Sequence, residues 1–193
     1  MKPPPPRRIL VQIFGTAGAL LLANAALSFT EHPWLLPSLG GSCVILFGMP
    51  RGIMAQPRSF ICGHLLSTVV GMVFHDGYVL LGGPLGVWLA FAVGTALAAM
   101  AVTRTIHSPA GANPVVVFVE NANWHFLATP LLPGLATLFL VAYAANNLRS
   151  PWGAGPWPRF TRRGLKAVPR RAGGEGRRHS QDITPPSGPI DVA

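Results

Sequence analysis

The residues able to do chemistry in this chain are few, and most of them fall in one short stretch. Thr103 to Val119 reads T-R-T-I-H-S-P-A-G-A-N-P-V-V-V-F-V, which sets Arg104, His107, Ser108, Gly111 and Asn113 close together. His64 and His75 lie upstream in an apolar run, about three helical turns apart and so on one face of an unbroken helix. An ionisable group inside an apolar segment is a functional candidate by default, and His64 is the deeper of the two; His75-Asp76 reads as the end of the membrane span. A metal site built on His64, His107 and a carboxylate is one use of these imidazoles, although no ligand spacing supports it. No nucleophile–base pair and no phosphate-cradling loop occurs in its required context, so neither a catalytic residue nor a cofactor is assigned and the chain is not expected to be an enzyme. Cys43 and Cys62 sit in apolar surroundings without a CxxC and read as packed thiols.

Composition says what must position these residues. Half of the 193 residues are apolar, only 11% are charged, and the mean hydropathy is +0.41. That excludes an ordinary soluble domain. The net charge of +9 is carried mainly at the ends, by Lys2, Arg7 and Arg8 and by the Arg and Lys residues from Arg149 onward. Between Ile9 and Leu148 the charged residues are Glu31, Asp76, Glu120, Arg51, Arg58 and Arg104. Basic ends flanking apolar runs point to anionic lipid headgroups, and no nucleic-acid motif accompanies them.

Along the chain, residues 1–8 form a Pro-rich basic lead that starts no helix before Arg7. Ile9 to Phe29 carries no charge and is long enough to cross about 30 Å of hydrocarbon. Ala23-Asn24-Ala25 imitates a signal-peptidase site, but the run is longer than a usual signal core. Glu31 to Pro37 reads as an interfacial link with Trp34 as a belt aromatic. Ser59 to Leu81, Leu85 to Ile106 and Phe126 to Leu148 are further long apolar runs, with a tight turn at Gly82-Gly83-Pro84 and Pro84 opening the next helix. Close-spaced Gly and Ala, among them Gly15, Gly18, Gly63, Gly71, Gly86, Gly94, Ala98 and Ala99, suit helices packed tightly in lipid. Residues 149–193 are rich in Pro, Gly, Arg and Ser without apolar periodicity, and are expected to be disordered. The fold expected is therefore all-α: four long transmembrane helices, two short interrupted segments, and a transmembrane domain over 9–148.

The short segments, Ser38 to Pro50 and Thr103 to Val119, echo each other. An offset of 71 residues carries Gly40, Gly41, Ser42 and Cys43 onto Gly111, Ala112, Asn113 and Pro114, and Val44–Phe47 onto Val115–Phe118. Val-Val-Val-Phe-Val would favour a strand in water, but a lone strand in hydrocarbon leaves its edges unpaired, so a half-helix over Pro114–Asn121 is expected. Asn113 would cap it and Ser42 would cap its counterpart. Free amides at Gly111–Asn113 and Gly40–Ser42, with His107, Ser108 and Arg104 nearby, would then suit a small anion. Interrupted helices in corresponding halves point to a transporter's site. The same Gly and Pro residues are also compatible with packing alone, and Arg104 with a snorkelling anchor. Re-entrant short segments give four crossings, which their length favours; segments that pass through give six, which the distribution of Arg favours. Both place the two termini in the cytoplasm.

P-S-L-G-G-S (Pro37–Ser42), A-Q-P-R (Ala55–Arg58) followed by G-H-L (Gly63–Leu65), and T-R-T-I-H-S-P-A-G-A-N-P (Thr103–Pro114) resemble the HPP family of integral membrane proteins. The likeness covers roughly residues 9 to 148. The His-Pro-Pro signature maps to His107-Ser108-Pro109, with Ser in place of the middle Pro. The resemblance implies four transmembrane segments. Plant chloroplast members are described as nitrite transporters, so it also implies nitrite or small-anion passage. Some bacterial members carry CBS domains, where this chain has a basic tail.

The reading taken forward is a membrane transporter or channel-like protein for a small anion, nitrite first, without a cofactor. Its pathway would be lined by His107, Ser108, Gly111, Asn113, Gly40, Ser42, His64 and Arg104. The setting expected is a bacterial inner (plasma) membrane, with lipid and anion as partners and a homo-oligomer compatible with both. The alternatives are a non-transporting structural or regulatory subunit and a metal-dependent membrane enzyme.

Overall fold

A computed structural model describes residues 6–28, 37–147 and Trp157, all within one compact unit, Met1–Arg159. The basic lead before Pro6, the Trp34 link and the tail apart from Trp157 lie outside the described residues. Among those described, every regular element is helical: α1 (Pro6–Leu27), α2 (Pro37–Gly48), α3 (Gly63–Leu81), α4 (Leu85–Val102), α5 (Asn113–Val119) and α6 (Leu131–Asn147). A π-type turn over Arg58–Cys62 runs straight into α3, and 3-10 turns occupy Ile53–Ala55, Ser108–Ala112 and Trp124–Leu127.

Among the described residues, four helical stretches are long and apolar enough to cross a membrane: Arg8–Leu27, Arg58–Leu81, Leu85–Val102 and Trp124–Asn147. Their outward faces carry large exposed apolar side chains such as Phe14, Leu21, Leu80, Phe91 and Leu97, as lipid contact requires. Two shorter apolar segments remain, Pro37–Gly48 and Ser108–Val119. At 1.5 Å per residue the 12 residues of α2 reach about 18 Å, well short of the hydrocarbon thickness. Moved by 71 residues, Pro37 and Gly48 fall on Ser108 and Val119, so the two short segments match the repeat offset at both ends.

Packing sorts the helices into two triplets that cut across the sequence halves. α1 packs on α6 and α2, and α2 also packs on α6; α3 packs on α4 and α5, and α4 on α5. Each half thus lends its third helix to the other. Ala19, Ala23 and Leu27 on α1 are fully buried, so the stretch that imitates a signal-peptidase site is an integral part of the fold. The triplets meet where α2 lies against the 108–112 turn.

Several boundaries differ from expectation for local reasons. α1 begins at Pro6, because a proline in the first turn gives up only an amide that has no helical partner there. α3 runs past His75-Asp76 to Leu81, the expected end of the apolar run, where Gly82 and Gly83 turn at φ of 67° and 103°. Pro84 precedes α4 instead of opening it, in extended conformation at ψ 119°. The packing does not end with α6 at Asn147, since Trp157 beyond it is buried. Its ring lies tilted against those of Phe139 and Tyr143, with centroids 5.7 and 6.4 Å away, and its indole Nε1 donates to Ala55 O at 3.3 Å. Its main chain is held by the Asn147 side-chain amide, which donates to Trp157 O and accepts from Trp157 N.

Candidate functional site

α3 offers the broken segment a seat of small residues at four-residue spacing: Gly63, Ser67 and Gly71. A Cβ on Gly63 would lie 2.8 Å from Thr105 O and 2.9 Å from His107 Cβ, and one on Gly71 would lie 2.8 Å from Pro114 Cα. Between them Ser67 Oγ donates to Ala110 O at 2.7 Å. Residues 105–114 therefore lie directly on the α3 backbone, the close approach that small residues permit in lipid. On the other side Gly41 faces Pro109, where a Cβ would sit 3.1 Å from Pro109 Cβ. The interrupted segments do converge.

Next to this seam runs a buried polar cluster. Ser42 Oγ on α2 lies 2.9 Å from His64 Nε2 on α3 and 2.8 Å from His107 Nε2, and it is also 2.8 Å from Ser38 O. Asn113 Nδ2 donates one hydrogen to Thr68 Oγ1 at 2.8 Å and shares the other between His64 Nδ1 at 3.0 Å and His64 O at 3.2 Å. His107 Nδ1 lies 2.9 Å from Met54 O in the 53–55 turn. Ser42, His64 and His107 are all 0% exposed and Asn113 is 1% exposed. Phe60, set by the π-type turn at the head of α3, stands edge-on to both imidazoles at 5.4 Å, and the two rings are 5.0 Å apart between centroids. π-type turns recur at functional sites because they re-aim one side chain in an otherwise regular helix, here Phe60.

Four of the eight residues singled out from the sequence, Ser42, His64, His107 and Asn113, thus belong to one cluster. The roles expected of two of them are corrected. Ser42 is not a cap: α2 begins at Pro37, so Ser42 lies inside it with its hydroxyl turned to the histidines. Asn113 is not a cap either; it is the first residue of α5, which ends at Val119, and its side chain reaches across to α3. The free amides expected at Gly111–Asn113 are absent for the same reason. Ser108–Ala112 is a 3-10 turn leading into α5, in which Ala110 N–H bonds His107 O and Asn113 N–H bonds Ala110 O. Gly40–Ser42 likewise lie within α2.

The other candidates stand apart. Ser108 is exposed. Gly40 and Gly111, equivalent under the repeat, are partly exposed, and a Cβ at either would meet nothing within 4 Å. Arg104 is exposed and occupies the turn after α4 at φ 55°. Arg58, near the head of α3, ties that turn down by donating to Thr103 O at 3.1 Å. His75 is buried on α3 against the Phe118 ring at 5.2 Å, and its Nδ1 has no hydrogen-bond partner among the described residues.

Sequence reasoning missed Thr68, Phe60 and Met54 O. Thr68 had a signal, lying one helical turn after His64; a main-chain acceptor such as Met54 O leaves none. As a metal site the cluster offers two imidazoles and a hydroxyl but no carboxylate. Among the described residues no three His, Cys, Asp or Glu side chains gather within metal-binding reach.

Four apolar helices of membrane-crossing length, with a short interrupted segment in each half and buried ionisable side chains where those segments meet, define a polytopic all-α membrane protein. Residues 1–153 match the family model described as the HPP transmembrane region, and the chain belongs to that family. It is similar to two proteins of Dictyostelium discoideum named only as transmembrane proteins. One is 36% identical over 117 residues, covering 58% of this chain and 41% of the relative; the other is 33% identical over 121 residues, covering 61% and 39%. The chain thus spans about two fifths of the length of these curated relatives. No solved structure matches.

Proposed function

We propose that this membrane protein passes a small anion, with nitrite the first to test, along the seam between α2 and the 105–114 segment. The observation that carries the reading is the Ser42–His64–His107–Asn113 cluster, fully buried where the two interrupted segments meet. Ionisable groups are expensive at membrane depth and are retained there mainly along solute or proton paths. As folded, the cluster is closed, so passage requires α2 to part from the 105–114 segment. Both termini are placed in the cytoplasm of a plasma membrane, the bacterial inner membrane in the first instance, on the strength of the basic ends.

The test is flux into proteoliposomes with nitrite, nitrate and formate. Flux of at least one above that of empty vesicles is expected; none for any of the three would sink the reading.

A second reading, a structural or regulatory subunit, is favoured by one observation: the seam is filled by well-bonded side chains. Replacing Gly111 and Asn113 with larger apolar residues separates the two. Transport fails before assembly if the seam is a path, and expression fails first if it is only packing.

A further inference from the structure

Hydrogens can be counted round the buried cluster, because several of its partners bond in only one way. Met54 O only accepts, so its 2.9 Å contact with His107 Nδ1 places a hydrogen on Nδ1. An amide nitrogen only donates: one Asn113 hydrogen goes to Thr68 Oγ1 and the other is shared between His64 Nδ1 at 3.0 Å and His64 O at 3.2 Å, which leaves Nδ1 bare and puts that ring's hydrogen on Nε2, facing Ser42 Oγ at 2.9 Å. The Asn113 atom is identified as nitrogen by its 3.2 Å approach to His64 O, which cannot donate. Thr68 agrees: its hydroxyl already donates to His64 O at 2.8 Å and so accepts from Asn113.

Ser42 is left with one hydrogen and two neighbours that want it, Ser38 O and His107 Nε2, each at 2.8 Å. With both rings neutral, one of these contacts must set lone pair against lone pair. A single extra proton on His107 Nε2 removes the conflict. Nε2–H then donates to Ser42 Oγ, the hydroxyl donates to Ser38 O, and Oγ accepts from both imidazoles, filling its capacity of one donated and two accepted bonds. The proton comes from water and adds to a ring lone pair; the Ser42 O–H only turns.

We propose that the His64–Ser42–His107 cluster is a proton site, loaded at His107 Nε2, and that the proton is held there together with the transported anion. The hydrogen bonds hold an imidazolium here, and a counter-charge beside it favours it further. Asp76 and Glu120, the described carboxylates, are both exposed, and Asp76 accepts from Trp124 Nε1 at 2.9 Å. Each imidazole of the cluster faces the other, with Phe60 edge-on to both. Of the remaining titratable or charged groups on these elements, Cys62 and Arg104 are exposed, Arg58 reaches Thr103 O, His75 packs on Phe118, and Cys43 is buried beside Ser42 on α2. An anion entering the seam supplies the counter-charge. The proton site stands on the hydrogen count alone, and only the counter-ion rests on the reading above.

The experiment is nitrogen-15 NMR of the full chain labelled at histidine, in neutral lipid nanodiscs, with signals assigned through His64→Gln and His107→Gln. Expected at alkaline pH are an Nε2–H tautomer for His64 and an Nδ1–H tautomer for His107. On acidification His107 becomes the imidazolium while His64 stays neutral, and at fixed pH the His107 imidazolium fraction rises several-fold when nitrite or nitrate is added. Opposite tautomers, or a His107 that stays neutral down to pH 5 with anion present, overturn the proton site. A His107 that loads a proton with no anion dependence, in a protein without flux, leaves the proton site standing and removes the anion from it. Vesicles that accumulate nitrate while entrapped pyranine reports no proton entry overturn the pairing and leave anion passage intact.

Discussion

Ser42 and Asn113 hold opposite edges of one imidazole, Ser42 Oγ at 2.9 Å from His64 Nε2 and Asn113 Nδ2 at 3.0 Å from His64 Nδ1. They are also the residues that the 71-residue offset superposes. The repeat thus sets equivalent polar side chains of α2 and α5 on the two sides of a single histidine of α3. This fixes the ring's plane and its tautomer together.

Because both residues act through His64, their removal should not be additive. Ser42→Ala leaves ring nitrogens of His64 and His107 without a partner, and Asn113→Leu strips the other edge of His64; each is expected to cost about 1–3 kcal/mol. The double variant should be less destabilised than the sum by about 1 kcal/mol, since the second change acts on a ring already released. Thermal unfolding in detergent measures all three, and strict additivity would show that the ring does not link them.

The small-residue seat on α3 gives a sharper contrast. Gly63→Ala and Gly71→Ala put a methyl within 2.8 Å of Thr105 O and Pro114 Cα respectively, where main chain must give way. Losses of about 1–3 kcal/mol are expected. Gly40→Ala and Gly111→Ala meet nothing within 4 Å and should be neutral or slightly stabilising. Fluorescence-detected size exclusion after a heating series would rank the four.

Trp157 marks how far the fold extends beyond α6. Trp157→Ala removes a side chain only 4% exposed, with its ring contacts to Phe139 and Tyr143 and its bond to Ala55 O. It should lower stability by about 3 kcal/mol. Ending the chain after residue 148 should do the same and ending it after residue 160 should not, a comparison read from melting midpoints.

Arg104, exposed at φ 55°, sits in a backbone region that costs a non-glycine residue about 1 kcal/mol. Arg104→Gly should therefore match or exceed the wild-type melting temperature. It should leave nitrite flux within about twofold, because the side chain lies away from the cluster. A loss of flux with stability retained would return Arg104 to the pathway.

Much of the fold was legible. Unbroken apolar runs mark the long helices, since only a helix satisfies its own backbone in lipid. Pro and Gly mark the breaks, and order within each half reveals the repeat. The cluster was half legible: His64, His107, Ser42 and Asn113 stand out as polar residues in apolar surroundings. Their roles did not, because N-cap propensity describes an isolated helix end, while here Asn113 is drawn off by Thr68 and His64 across the interface and Ser42 lies inside a helix that starts at Pro37. Trp157 was missed because a single aromatic in a Pro- and Gly-rich segment carries no periodicity.

The exchange of third helices between halves bears on how the protein is made. α1 leaves the ribosome before the other five helices, yet a main neighbour, α6, is the last of the six to be made. Until then α1 and α2 wait in lipid, or against the insertion machinery, with a seam unfilled. Assembly of this chain therefore completes by closing a ring rather than by adding hairpins in turn, and a ribosome stalled before α6 should leave the N-terminal helices open to degradation.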